Sequence, residues 1–179
     1  MKLKPEDAGL FYELFLPLLD YVNERFHVTV KKVKFTGESI DPRDAIEAAH
    51  FLWERTWIID DYLDESKLSC EHREIIRGWK RCISGTFIIE RHLKKGTVFI
   101  SADDETVYLV NGIIDSWNEM LGGQQTPLIL KATLLPFKNV IISDGLVTSY
   151  AIRFGRNSAA EFKETYMNAK RNGNIITNI

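Results

Sequence analysis

Two cysteines, Cys70 and Cys82, are too few to build a disulfide framework for a chain of 179 residues. Long apolar runs are missing as well. The best stretch, Gly9 to Val22, is broken by Glu13 and Asp20 and preceded by Glu6 and Asp7, so it is too short to cross a bilayer. No strong charge of one sign is present either: a formal net charge of -2 gives no overall reason to expect nucleic acid or an anionic membrane. There is no G-x-S-x-G elbow, no H-E-x-x-H, no G-x-x-x-x-G-K and no G-x-G-x-x-G. These absences predict no cofactor, no metal and no membrane partner. They leave a soluble, cytoplasmic chain as the expectation.

What is present is the material for a core. Hydrophobic residues make up 45% and charged residues 27% of the chain, an ordinary globular balance. A chain of this length buries roughly 70% of its unfolded surface.

The first part reads as helical. Leu10, Phe11, Leu14, Phe15, Leu18, Leu19, Val22 and Phe26 recur at helical spacing and predict a helix over 5–26. Pro5 suits its first turn, while Pro17 is expected to kink or split it. His27–Phe35 alternates and is β-branched, which predicts an edge strand guarded by Lys31, Lys32 and Lys34. A turn at Thr36–Ser39 follows. Asp41-Pro42 spells an N-cap with proline at the first helical position, and Ile46, Ala49, Trp53 and Trp57 step along one face toward Asp60. A third helix is predicted from Ser69, carrying Ile75, Ile76, Trp79 and Ile83.

From residue 86 onward the pattern changes to short strands. FIIERHL and TVFIS flank Lys94-Lys95-Gly96, and TVFIS and TVYLV flank Ala102–Glu105, so both read as hairpins. Asp115–Leu121 predicts a short helix stopped by Gly122-Gly123. Strand signals resume at LILKATLL, NVIIS and LVTSYAI, with Asp144-Gly145 as a turn. Ser158 and Glu161 have the spacing of a capping box that would open a last helix, Gly173 would end it, and 174–179 is expected to be a loose tail. The expected fold is α+β: a helical N-terminal region on a curled antiparallel sheet or small barrel of about six strands, closed by a C-terminal helix. The expected seam separates 1–68 from 69–179.

Several groupings have the residue types of a site. Asp60-Asp61-Tyr62-Leu63-Asp64 spells a D-D-x-x-D that could hold a hard cation. The enzymes that use it need a large helical bundle and a second acidic motif, so an acidic helix end is the simpler reading. Cys70, His72, Cys82 and His92 have zinc-ligand chemistry, but their spacings of 2, 10 and 10 are irregular. By strict alternation Arg91 shares the face of Phe87, Ile89 and Leu93. A guanidinium buried there must be paired, because an unpaired core charge costs on the order of 3–5 kcal/mol. Either a bulge or a paired arginine explains it, or Arg91 reaches into a pocket for a carboxylate or phosphate.

Charge is unevenly spread: 73–95 carries seven basic residues against two acidic ones. Trp79, Phe87 and His92 interleave with these cations, an arrangement that on a barrel surface would suit single-stranded nucleic acid. Trp79, however, lies in the helical phase of Ile75, Ile76 and Ile83, which points to the core.

WKRCISGTF at 79–87, IERHLKKGTVFI at 89–100, YLVNGIIDSWNEML at 108–121 and LLPFKNVIISDGL at 134–146 resemble a group of uncharacterised bacterial proteins that share W-x7-F…R-H-L-K and L-L-P-F…I…D-G-L blocks. The likeness covers about residues 79–147. Some relatives carry a cysteine- and histidine-containing metal-binding tail; this chain ends in Asn174–Ile179 without one, so the resemblance implies no metal, and it transfers no activity. Pro136, Phe137, Asp144 and Gly145 are among the shared residues and read as turn and packing positions.

Three functional expectations follow. The leading one is a non-enzymatic intracellular binding or regulatory module whose rim of Arg77, Lys80, Arg81, Arg91, Lys94 and Lys95 meets an acidic protein or nucleic acid. The second is an enzyme or small-ligand binder with Arg91 as anion anchor and His92 or Asp144 as acid–base group, although alternation points Arg91 and His92 to opposite faces. The third is a homodimer, for which four tryptophans and ten phenylalanines supply apolar surface.

Overall fold

A computed structural model describes residues 1–29, 33–37 and 41–179. The chain divides into two compact units: Pro5–Cys82, and Met1–Lys4 together with Ile83–Ile179.

The first unit is helical. Helix α1 (Pro5–Phe26) buries Phe11, Leu14, Phe15, Leu18, Leu19 and Val22 along one stripe. Pro17 neither splits nor ends it. A proline inside a helix costs about 3 kcal/mol, whereas each fully buried Leu or Phe contributes about 1.5–3 kcal/mol, and such residues hold the helix on both sides of Pro17. Helix α2 (Pro42–Trp53) starts as expected, with the Asp41 carboxylate accepting from the Arg43 N–H at 2.9 Å.

The apolar face expected to run on to Asp60 is interrupted. Helix α2 ends at Trp53, and α3 (Ile58–Glu65) begins after a turn that leaves Trp57 51% exposed. Helix α4 (Cys70–Gly78) has Ser69 as N-cap, its hydroxyl accepting from the His72 N–H, and runs into a 3₁₀ turn at Trp79–Arg81. The seam expected at 68/69 lies inside this unit, because α3 and α4 pack on each other. Trp79 is fully buried against Phe11 and Phe15.

The strand expected at His27–Phe35 falls partly on Val30, Lys31 and Lys32, outside the described residues; the rest of it is not in a strand. Asn23 holds that segment to α1, its amide oxygen accepting from the Thr29 N–H and hydroxyl and its amide nitrogen donating to the Val33 carbonyl. The expected turn is present at Thr36, where the Gly37 N–H reaches the Lys34 carbonyl, while Ser39 lies outside the described residues.

The second unit is built on six strands: β1 (Ile83–Leu93), β2 (Gly96–Ser101), β3 (Val107–Asn111), β4 (Leu128–Phe137), β5 (Val140–Ser143) and β6 (Thr148–Tyr150). Five close into a ring, β1-β2-β3-β5-β4 and back to β1, while β6 lies on β4 outside it. The pairings are antiparallel except β3 with β5, which is parallel, so the sheet is mixed. Phe87, Ile89, Phe99, Tyr108, Val110, Leu130, Leu134 and Ile141 fill one core cluster. Helix α5 (Trp117–Met120) adds Trp117, whose ring meets Phe99 edge-on at 4.8 Å. Its cap is Ser116, in a complete capping box with Glu119, one residue later than the expected Asp115.

Helix α6 (Arg156–Asn172) packs against β1, β2 and β3, with Phe162, Tyr166 and Ala169 on the outward-facing Ile88, Val98 and Ile100. It begins two residues before Ser158, with Gly155 as N-cap and no side-chain cap bond, so the expected capping box does not open it. Gly173 ends it at φ 69°, as expected. The tail beyond is not loose. Ile176 bridges Tyr108, exchanging backbone hydrogen bonds of 2.9 Å with Val107 and Leu109, and Ile176 and Ile179 pack on the ring core.

Candidate functional site

The β1–β2 hairpin carries three of the six expected rim cations. Its register jumps between Ile89 and Arg91: Ile89 faces Phe99, but Arg91 faces Val98. This bulge at Glu90 reverses the alternation. Arg91 therefore leaves the face of Phe87 and Ile89 and joins the outward face of Ile88 and Val98, beneath α6. There it forms a two-point ion pair with Glu90, through Nε to Oε2 and through Nη2 to Oε1 at 2.7 Å. Its guanidinium carbon also lies 4.6 Å from the centre of the Tyr166 ring. The Glu90 side chain is only 7% exposed and that of Arg91 33%, and the hydrogen bond to Glu90 raises the Arg91 pKa above its ordinary value.

His92 points to the other face, with Nδ1 3.0 Å from the Thr97 hydroxyl. Among the described residues its buried Nε2 has no hydrogen-bond partner. Burial, and then the positive charge of the chain's amino terminus, lower its pKa. Asp144, 4% exposed, builds a turn: its carboxylate accepts from the Leu146 N–H at 3.1 Å and from the Ser143 hydroxyl at 3.3 Å. Arg91, His92 and Asp144 are therefore each engaged locally, and Arg91 and His92 do not converge.

Lys94 and Lys95 form the two-residue turn between Leu93 and Gly96. Both are exposed, and no ion pair engages either among the described residues. The turn needs Gly96, whose φ is 152°; a Cβ there would sit 2.9 Å from both the Asn111 amide oxygen and Leu109 Cγ.

Arg77, Lys80 and Arg81 belong to the helical unit. Arg77 pairs with Glu74 and Lys80 with Asp60. Asp60 and Asp61 lie in the first turn of α3, where carboxylates are favoured by the helix dipole. Among the described residues no three His, Cys, Asp or Glu stand together as metal ligands. Trp79 and Phe87 are in cores and offer no stacking surface.

A second feature was not picked out from the sequence. Residues 124–128 and 150–154 line a cleft of about 650 Å³. Gln124, Gln125, Thr126, Tyr150 and Arg153 contribute its polar side chains, and among the described residues no carboxylate lines it. One signal for it exists in the chain: between Asp144 and Glu161 there is no acidic residue, while Arg153 and Arg156 both fall there. Among the described residues no helix is long and apolar enough to cross a membrane. No protein-family model matches this chain, and neither a curated protein nor a solved structure does.

Proposed function

We propose that this chain is a non-enzymatic intracellular binding module that meets an acidic partner through the tip of the β1–β2 hairpin. The carrying observation is that Lys94 and Lys95 stand exposed and unpaired at a tight turn, while Arg77, Lys80 and Arg91 spend their charge on Glu74, Asp60 and Glu90. A turn already held by a strand ladder loses little freedom on binding. Five-stranded Greek-key barrels of the OB type use the loop between their first two strands for oligonucleotides and oligosaccharides, which favours a binding use of such a frame. A fold hosts many functions, so the lysine pair rather than the barrel carries the reading. The alternative, an enzyme or ligand binder anchored on Arg91, has less support, because Glu90 and Tyr166 already occupy that guanidinium.

The test is binding of two defined polyanions, a single-stranded oligonucleotide and a polyglutamate peptide, across a salt series. At least one binds at low salt, and the Lys94→Glu/Lys95→Glu variant loses it. For the strand, the slope of log K against log salt falls by about 1.4, roughly 0.7 for each lost phosphate contact. Binding of neither probe, or equal binding by the variant, removes this reading.

A further inference from the structure

We propose that the cleft between 124–128 and 150–154 is a nucleotide site, with an adenine nucleotide as its best-fitting ligand. The inference does not rest on the hairpin reading; it stands on different residues. Four observations point the same way.

First, size: about 650 Å³ falls within the roughly 300–1,000 Å³ of sites that enclose small organic ligands. Second, charge: among the described residues Arg153 is the one charged residue lining the cleft, so the site disfavours cations and bare metal ions and favours an anion. Arg153 has no hydrogen bond or ion pair among the described residues. It thus differs from Arg91, whose fork is already filled. A guanidinium presents its donors in the planar fork that suits phosphate.

Third, the cleft has flat and apolar surface. Tyr150 is 37% and Ile152 50% exposed, with Leu128 and Phe154 beside them in the lining. An uncovered tyrosine ring is a platform on which a base stacks. Fourth, Gln124 and Gln125 bring two side-chain amides to the same cleft, and neither has a side-chain partner among the described residues. A carboxamide offers one donor and one acceptor side by side, the complement of the adenine N6–N7 edge. Phosphate on Arg153, base on Tyr150 and base edge on a glutamine use three of the five polar side chains of the lining, with Thr126 and the other glutamine beside them.

The start of α6 adds the same sign of field. Gly155 follows Phe154 directly, gives no side-chain cap, and the first turn holds Arg156 but no acid. This contribution is secondary to the cleft.

The same chemistry reaches the site as a free nucleotide or as one unit of a single strand. Calorimetric titration of the full chain with adenosine 5′-monophosphate, adenosine, inorganic phosphate and a short single-stranded oligoadenylate separates them. Adenosine 5′-monophosphate is expected to bind at least about tenfold more tightly than adenosine, which lacks the hydrogen bond to a charged group, and than phosphate, which lacks the stacked base. Arg153→Gln should bring its affinity down to that of adenosine, and Tyr150→Ala should weaken both. If only the oligoadenylate binds and Arg153→Gln weakens it, the site takes its nucleotide from a strand. No saturable binding of either probe up to about 10 mM, weaker than any working affinity, overturns the proposal. So does equal binding by Arg153→Gln, provided circular dichroism shows the variant folded.

Discussion

Arg91 is clasped between the Glu90 carboxylate on its own strand and the Tyr166 ring on α6. The arginine that alternation assigns to the core is instead the underside contact of a helix, because one bulge moved it across the sheet. Glu90 is the more deeply buried partner, so losing the cation costs more than losing the pair. Arg91→Ala should destabilise the protein by about 2 kcal/mol. That is below the figure for a fully buried pair because the arginine remains partly wet. Glu90→Gln/Arg91→Met should recover most of it. Urea denaturation of the single and double variants reads the difference; equal losses in both would mean that packing under α6, not charge, sets the cost.

Gly112 sits where no side chain fits. A Cβ built there would lie 1.8 Å from the Asp115 carbonyl oxygen, a backbone atom. Gly112→Ala must therefore move the loop that delivers Trp117 to the core, and a loss of at least about 3 kcal/mol is expected, comparable with truncating a large core side chain. Gly122→Ala is the control. It has a positive φ, which Gly112 lacks and which adds a modest backbone cost, but it meets nothing within 4 Å, so its thermal midpoint should move less.

His92 gives the protein a pH-dependent term in mild acid. Its folded pKa lies below the ordinary value of 6.5, so the unfolded chain binds the proton more readily. The stability His92 contributes is complete above about pH 6.5 and is lost as pH falls toward the folded value. Denaturant midpoints measured between about pH 7 and pH 5 should decline in the unsubstituted protein and decline less in His92→Gln. Asp104 and Glu119 act in a separate, lower window. Hydrogen bonds, from Ser101 and then Thr106 for Asp104 and from Ser116 for Glu119, hold their carboxyls below the usual range. Their contributions are therefore present above the unfolded value and fade only in stronger acid.

Removal of 174–179 should do more than shorten a tail. It deletes Ile176 and Ile179 from the core packing and the two backbone bonds to β3. A loss of about 2–4 kcal/mol is expected from apolar burial of two half-buried side chains and their hydrogen bonds. The uncovered stretch of β3 also becomes a free edge that can pair with another chain. Size-exclusion chromatography should show the truncated protein self-associating beyond whatever state the full chain adopts. A truncated chain that elutes in the same state as the full chain and keeps its midpoint would show the tail to be passive.

Much of the fold was legible because its signals are local. Pro5, Asp41-Pro42, Ser69 and Gly173 mark helix ends by backbone and cap chemistry that operates within three or four residues. The alternation of β1 through β5 survives in the sequence because each strand has a distinct inner and outer face. Non-local facts did not survive. The bulge at Glu90 depends on the register of β2, the parallel contact of β3 with β5 on closure of the ring, and the docking of Ile176 on an edge left open beside β5. The break between α2 and α3 was hidden because Trp53 and Trp57 keep helical spacing across a turn. The hairpin lysines could be named in advance, since a basic turn between two strands is a local feature. The cleft could not, because Gln124 and Arg153 come from irregular segments brought together only by β6 pairing with β4.

Met1–Lys4 belongs with Ile83–Ile179 rather than with the helix that follows it, and this orders events in time. During synthesis Met1 and Leu3 are made before the helical unit, yet their backbone partner is Gly112, more than a hundred residues away. Pro5–Cys82 is contiguous, so its internal contacts can form early. The ring must wait for β5, and its last bonds to β3 come from Ile176. On a ribosome adding about 5–20 residues per second, the helical unit has several seconds as the only folded part. Residues made before the helical unit and residues made after the ring strands then bind β3 and the glycine just beyond it, so the barrel is sealed only after Ile176 has been made.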